Sequence, residues 1–135
     1  MSASTPASEF VTDTMGLVLR IEHRQLGPVA RSIFEAAESG AATVYVPALV
    51  FAEILYLSEK QRIGISLETV ENYLNQYPNY KEYPMSFAVI ESAAQITDIR
   101  ELHDRLIAGT AHLLGLDLIT NDPIIQSSAF VKTVW

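Results

Sequence analysis

Residues Glu101 to Asp122 read E-L-H-D-R-L-I-A-G-T-A-H-L-L-G-L-D-L-I-T-N-D, and this stretch decides the fold. A helix is read from Asp104. Its small and apolar stripe is Ile107, Ala108 and Ala111, which lie three, four and seven positions on and so share one helix face. Gly115 stops the helix. A short strand, Asp117 to Thr120, follows, and a second acid, Asp122, stands just past it. Such a helix–strand unit carries a carboxylate at each outer end and delivers both to one edge of a sheet.

Outward from this unit, the rest of the chain alternates in the same way. Phe10 to Thr12 is a short apolar run that reads as a buried strand ending at Asp13. Asp13-Thr14 starts a helix to about Arg24, with Leu17, Val18 and Ile21 on one face. Pro28 opens a second helix over Val29–Ser39, with Gly40 past its end. Thr43 to Val46 is β-branched and aromatic, a second strand. Pro47 begins a third helix to about Gln61, and Ser66 is the N-cap of a fourth through Asn75. Pro78-Asn79 is a turn. Tyr80 to Met85 is a short strand interrupted by Pro84 and therefore placed at an edge. Ser86 to Ile96 is helical, and Val131 to Trp135 is the last strand. Strands alternating with helices predict a three-layer α/β/α sandwich around a central, mainly parallel sheet. One domain is expected over residues 1–135, with the small, polar start (residues 1–8, extending to Glu9) as a loose lead-in.

Composition narrows the class. The 135 residues are 49% hydrophobic and 19% charged, enough for a substantial core. No run of about 18 apolar residues suggests a membrane span. The N-terminus lacks the basic-then-apolar order of a signal peptide, so a cytoplasmic protein is expected. There are no cysteines, which excludes disulfides and thiolate metal sites, and the three histidines form no spaced zinc motif. Any metal would be held by oxygen, which points to Mg2+ or Mn2+. The net charge of −7 opposes a broad nucleic-acid-binding face. The low charged fraction predicts apolar surface covered by a partner.

Four acids stand out. Asp13 and Asp122 each follow a strand and precede a helix, so each is either a helix N-cap or a site residue at the carboxyl edge of the sheet. Glu53 is the only charged residue in A-L-V-F-A-E-I-L-Y-L, from Ala48 to Leu57. A helix apolar all round is expected to be buried, and a buried carboxylate must take a proton, an arginine or a metal cation. Asp104 shares the inward stripe of its helix. Two carboxylates about 5 Å apart repel by about 3 kcal/mol at an effective dielectric of about 20. A convergent set of four therefore calls for a divalent cation.

These residues resemble the PIN-domain (PilT N-terminal) nucleases, in particular toxins of VapC type from bacterial toxin–antitoxin pairs. The matching pieces are V-T-D-T at Asp13, A-E-I at Glu53, L-H-D-R-L-I-A-G-T-A at Asp104 and L-I-T-N-D at Asp122, with V-K-T-V-W as the last strand. They fall in the family's order across nearly the whole chain. The resemblance implies a metal-dependent endoribonuclease with Asp13, Glu53, Asp104 and Asp122 as catalytic and metal-holding acids. It implies Mg2+ or Mn2+ as cofactor, with Thr14, Thr120 and Asn121 as polar support. RNA is the implied substrate, and an antitoxin protein and a second copy of the chain are the implied partners. Met15 departs from the pattern, because the family commonly has Asn or Ser there.

Arg20, Arg24, Lys60 and Arg105 are candidate phosphate contacts, and His103 is a candidate neighbour of the site. Tyr56, Tyr73, Tyr77, Tyr80 and Tyr83 offer aromatic area for a partner. The alternative to an enzyme is a PIN fold kept as a binding or regulatory module, which Met15 and the acidic balance favour. A phosphoacceptor receiver domain is disfavoured: Asp13 has no acidic neighbour, and Lys132 lies too near the terminus.

Overall fold

A computed structural model describes residues 8–135. In chain order the elements are β1 (Ser8–Thr12), α1 (Thr14–Ile21), α2 (Pro28–Glu38), β2 (Ala42–Pro47), α3 (Ala48–Glu59) and α4 (Leu67–Gln76). Then come β3 (Tyr80–Tyr83), α5 (Phe87–Gln95), α6 (Leu102–Leu114), β4 (Asp117–Ile119), α7 (Pro123–Gln126) and β5 (Thr133–Val134). The five strands form one sheet in the order β3-β2-β1-β4-β5. Every pairing is parallel, with Val11 opposite Tyr45 on one side and Leu118 on the other. Helices cover both faces. Val11 and Thr12 are consecutive, as are Leu118 and Ile119, and all four are 0% exposed. Neighbours along a strand point to opposite faces, so both faces must be packed. The expected α/β/α sandwich is the observed one, and β3 lies at an edge as Pro84 implied.

The order of strands fixes where a site can form. The chain builds β1, β2 and β3 outward in one direction, then returns to place β4 on the other side of β1. Connections therefore diverge between the carboxyl ends of β1 and β4, the topological switch point where open α/β sheets bind ligands. Asp13 and Asp122 lie beyond those two ends. The backbone closes the gap there, where Asp13 N donates to Ile119 O at 3.1 Å.

Several boundaries differ from the expected ones. β1 starts at Ser8, so Ser8 and Glu9 belong to the sheet, and the rest of the expected lead-in lies outside the described residues. Helix α1 stops at Ile21, short of Arg24, because His23 turns to φ 56° and Arg24 N closes onto Leu19 O. Helix α6 opens at Leu102 instead of Asp104. Its N-cap is Glu101, whose carboxylate accepts from Asp104 N at 2.7 Å. The last strand is only Thr133–Val134. The largest correction concerns α3, expected to be buried all round. Val50 and Ile54 are fully buried, but Leu55 is 43% and Tyr56 52% exposed. The helix packs along one side only and leaves apolar surface outside.

Two features hold the layers. Arg20 of α1 makes a bidentate pair with Glu38 of α2, at 2.9 and 2.7 Å. The Tyr73 and Tyr80 hydroxyls donate to the same carboxylate at 2.6 and 2.5 Å. Burial alone would raise the Glu38 pKa, but the bonds from Arg20, Tyr73 and Tyr80 hold it below the ordinary range. Arg20 is thus committed and is not a phosphate contact. Tyr80 is buried and Tyr73 half-buried, so neither offers partner surface.

The second feature is Gly109 in α6. A Cβ there would lie 2.9 Å from the Cα, Cβ and N of Ala93 in α5. Glycine lets the two helices approach. Gly109→Ala should therefore lower stability by about 1–3 kcal/mol through overpacking, although alanine has the better helix propensity. Thermal denaturation measures this, and a more stable variant would contradict the packing.

Candidate active site

The four acids of the sequence line one cleft of about 320 Å3, together with Thr14, Met15, Ile107 and Asn121. Each is delivered by a different element. Asp13 caps α1: one oxygen accepts from Gly16 N at 2.7 Å, the other from the Thr120 hydroxyl at 2.6 Å. Asp122 caps α7, and its Oδ1 accepts from Ile124 N at 2.8 Å and Ile125 N at 3.3 Å. The capping reading of both residues is therefore correct, and it does not exclude a second role. Capping occupies only one Asp122 oxygen. Glu53 comes from the first half of α3 and accepts from the Thr14 hydroxyl. No arginine pairs with it among the described residues. Asp104 stands at the third position of α6 and makes no side-chain hydrogen bond among the described residues.

Thr120 ties the site together. It is 0% exposed. Its hydroxyl donates to Asp13 and accepts from Asp122 N at 3.1 Å. A single side chain thus sets the orientation of one acid and the backbone of another. Asn121 is exposed at the rim, and Met15 is 40% exposed beside the acids.

Electrostatics follow from this crowding. Burial pushes the Asp13 carboxyl up to about 6, the Asp122 and Glu53 charges add to it, and the Thr120 and Gly16 bonds oppose it. Burial likewise pushes Asp104 up to about 6, helped by the charges of Asp122, Glu101, Glu53 and Asp13. These two carboxyls therefore hold more protons in the folded protein than in the unfolded chain between about pH 4 and 6, and their contribution to metal-free stability falls as pH rises through that window. In a chelator, the melting temperature should be a few degrees higher at pH 5 than at pH 7. A metal-free melting temperature that rises steadily over that interval would contradict the crowding.

The donor set suits a hard divalent cation. It consists of four carboxylates with hydroxyls of Thr14 and Thr120 behind them, all oxygen; among the described residues no histidine or cysteine lines the cleft, and Met15 is its one soft neighbour. The acids share the cleft as separate donors. Among the described residues, no three His, Cys, Asp or Glu side chains are arranged as a ready-made metal site. A cation would supply the positive charge that the raised carboxyl groups lack.

The other candidates fall outside the cleft. Arg24 pairs with Glu22 at 3.1 Å. Lys60 lies over the Tyr56 ring, 5.7 Å from its centroid. His103 bonds Glu101 at 2.8 Å. Arg105 does not line the cleft, and its Nε is buried without a partner among the described residues. Glu101, which the sequence reading passed over, caps α6 and adds negative charge beside Asp104; the signal was an acid three residues before Asp104. Two of the larger hollows carry other chemistry. One of about 480 Å3 is lined by Arg20, His23, Arg24 and Arg31. The other, about 670 Å3, lies between α3 and α4. Neither gathers more than two acids, so size does not mark the site.

A family profile described as PIN domain matches residues 12–131. No curated protein matched the sequence. Among solved structures, the chain is similar to VapBC2 from Rickettsia felis bound to a DNA fragment from their promoter. The TM-score is 0.71 at 17% identity, covering 94% of this chain and 98% of that one. It is also similar to DNA-bound VapBC from Salmonella typhimurium, with TM-score 0.69, 17% identity, and 94% and 97% coverage. FitAcB from Neisseria gonorrhoeae gives 0.66 at 20% identity, with 93% and 96% coverage. At these identities the likeness shows a common fold.

Proposed function

The chain belongs to the PIN-domain family, and on that premise we propose that it is a divalent-metal-dependent endoribonuclease, the toxin of a toxin–antitoxin pair. One observation carries the reading: residues 13, 53, 104 and 122 bring their carboxylates to a single cleft at the switch point of the sheet. So many acids in one place weaken the fold unless a cation joins them. The fold shared with VapBC and FitAcB structures supports the toxin assignment.

Asp13, Glu53, Asp104 and Asp122 hold Mg2+ or Mn2+ in this reading. Bound there, the ion supplies Lewis acidity that makes a water nucleophilic at neutral pH and offsets charge on the leaving oxygen. The protein's own contribution is positioning. Thr120 orients Asp13 and fixes the Asp122 backbone, and Thr14 orients Glu53. Asn121 stands at the rim for the substrate. No side chain serves as a covalent nucleophile, and cleavage leaves a 5′-phosphate and a 3′-hydroxyl. In this reading the protein works in the cytoplasm. Among the described residues no helix is long and apolar enough to cross a membrane.

Partners follow from the uncovered apolar surface. The hollow between α3 and α4 has Phe51, Val70 and Leu74 in its wall and Glu68 and Glu71 at its rim. It fits an amphipathic, basic antitoxin helix. The exposed Met85, Phe87, Ile90 and Leu102 give a second copy its contact.

The test is cleavage of single-stranded RNA by the purified protein. Activity should require Mg2+ or Mn2+, vanish in chelator and return when the metal is restored. Because Asp13 and Asp104 keep their protons to about pH 6, activity at limiting metal should rise between about pH 5 and 7. Metal-independent cleavage would overturn the reading. RNA binding without cleavage at high purity would establish the binding-module alternative.

A further inference from the structure

The acidic cleft does not end at Glu53. The same side chain lines a second hollow of about 400 Å3, whose other walls are Leu49, Ala52, Tyr56, Leu57 and His103. Five of these residues form one stripe of α3 at positions i, i+3, i+4, i+7 and i+8. His103 comes from the first turn of α6, next to Asp104. The two elements that deliver Glu53 and Asp104 therefore also build this hollow, and nothing in the chemistry of the four acids uses it.

We propose that the hollow is a nucleobase subsite, in which a base flanking the scissile phosphate stacks on Tyr56 as single-stranded RNA enters the acidic cleft. The inference rests on the nuclease reading and adds to it a base-binding subsite and a positioning residue. Tyr56 is 52% exposed. Among the exposed large apolar side chains of the described residues, only Tyr56 and Phe87 are aromatic, and only Tyr56 of the two adjoins a site acid. The hollow lies in the size range of about 300–1,000 Å3 that takes a small ligand.

The charge balance favours stacking over phosphate contacts. Proteins that grip nucleic acid through phosphates spend many basic residues on them. This chain has nine Lys and Arg against sixteen Asp and Glu. Arg20 and Arg24 are already paired with Glu38 and Glu22. Base–aromatic contact beside the metal site adds affinity that does not depend on basic residues, and it tolerates any base because every base has a π face. Lys60 Nζ, 5.7 Å from the Tyr56 ring centroid, adds one cation for the neighbouring phosphate. Glu101 holds His103 Nδ1, and Nε2 remains for the base edge. Bases in a duplex are already stacked on one another and cannot enter, so the subsite selects single strands.

The experiment compares Tyr56→Ala and Tyr56→Phe with the parent, on single-stranded oligoribonucleotides in which an abasic ribose is scanned along the strand. Cleavage is followed with Mg2+ or Mn2+. Binding is followed by fluorescence anisotropy on the inactive Asp104→Asn background. Tyr56→Ala should raise KM and Kd by about 5- to 150-fold, the worth of one stacked base, with kcat changed far less. Tyr56→Phe should behave as the parent. In the parent one abasic position should weaken binding by a similar factor, and that penalty should vanish in Tyr56→Ala. If both variants keep the parent's KM and Kd, or if the abasic penalty persists in Tyr56→Ala, the subsite is wrong while the nuclease reading stands. If Tyr56→Ala changes only the mass in solution by light scattering, the hollow docks protein and the proposal falls. A parent that binds oligonucleotides with the Tyr56 dependence but never cuts them would overturn the nuclease reading and leave the subsite.

Discussion

Asp104→Asn should reduce metal-dependent RNA cleavage by about a thousandfold or more while the protein stays folded and at least as stable as the parent. The two halves of this expectation come from one observation. The Asp104 side chain makes no hydrogen bond among the described residues, so nothing structural is lost when its charge goes. Its helix is capped by Glu101, which the substitution leaves in place. The charges of Asp122, Glu101, Glu53 and Asp13 all bear on it unfavourably. An amide of the same shape removes that repulsion, and the metal-free melting temperature should hold or rise. Losing one carboxylate from a metal's shell removes several kcal/mol of transition-state stabilisation, which sets the thousandfold scale. Activity and stability measured on one preparation decide it. A variant that cuts RNA as the parent does removes Asp104 from the site. A variant that is inactive only because it unfolds makes Asp104 structural.

The largest effect on stability is expected at Glu38, far from the acids. Glu38→Ala should cost about 3–5 kcal/mol, because it leaves a largely buried arginine and two tyrosine hydroxyls without their shared acceptor. The side chains of Arg20 and Glu38 are only 18% and 13% exposed. The loss comes from stranding Arg20 more than from missing attraction. Replacing both partners by apolar residues (Arg20→Met with Glu38→Leu) should recover part of it. Urea denaturation of the single and double variants measures the coupling. If the double variant is as unstable as the sum of its parts, the pair is not a unit. The Glu38 pKa is depressed in the fold, so its contribution is present above the ordinary carboxylate range and is lost on acidification, opposite in sign to Asp13 and Asp104.

The elements legible in the sequence were those whose signal is local. Leu17, Val18 and Ile21 repeat at helical spacing, and so do Ile107, Ala108 and Ala111, and both stripes are buried. Asp13 and Asp122 each sit where a strand ends and a helix starts, and that junction alone places them at the carboxyl edge. What stayed hidden depended on distant partners. Nothing near Arg20 announces Glu38, Tyr73 or Tyr80, which lie 18, 53 and 60 positions away, so Arg20 read as a free cation. The apolar run around Glu53 read as fully buried, because a sequence cannot say whether an apolar helix face is covered by its own chain or left open. Glu101 was missed as a cap because the usual capping residues are shorter. The spacing of the acids along the chain did not reveal that Thr120 joins two of them.

Titration with Mn2+, read by the loss of the free-ion electron paramagnetic resonance signal, tests the shared-cation claim without reference to turnover. The parent should bind Mn2+. Asp13→Asn, Glu53→Gln, Asp104→Asn and Asp122→Asn, each checked to be folded, should all bind it at least tenfold more weakly. Equal Mn2+ binding by the parent and by Glu53→Gln and Asp104→Asn would contradict the account, since the two halves of the cleft would then not meet at one ion.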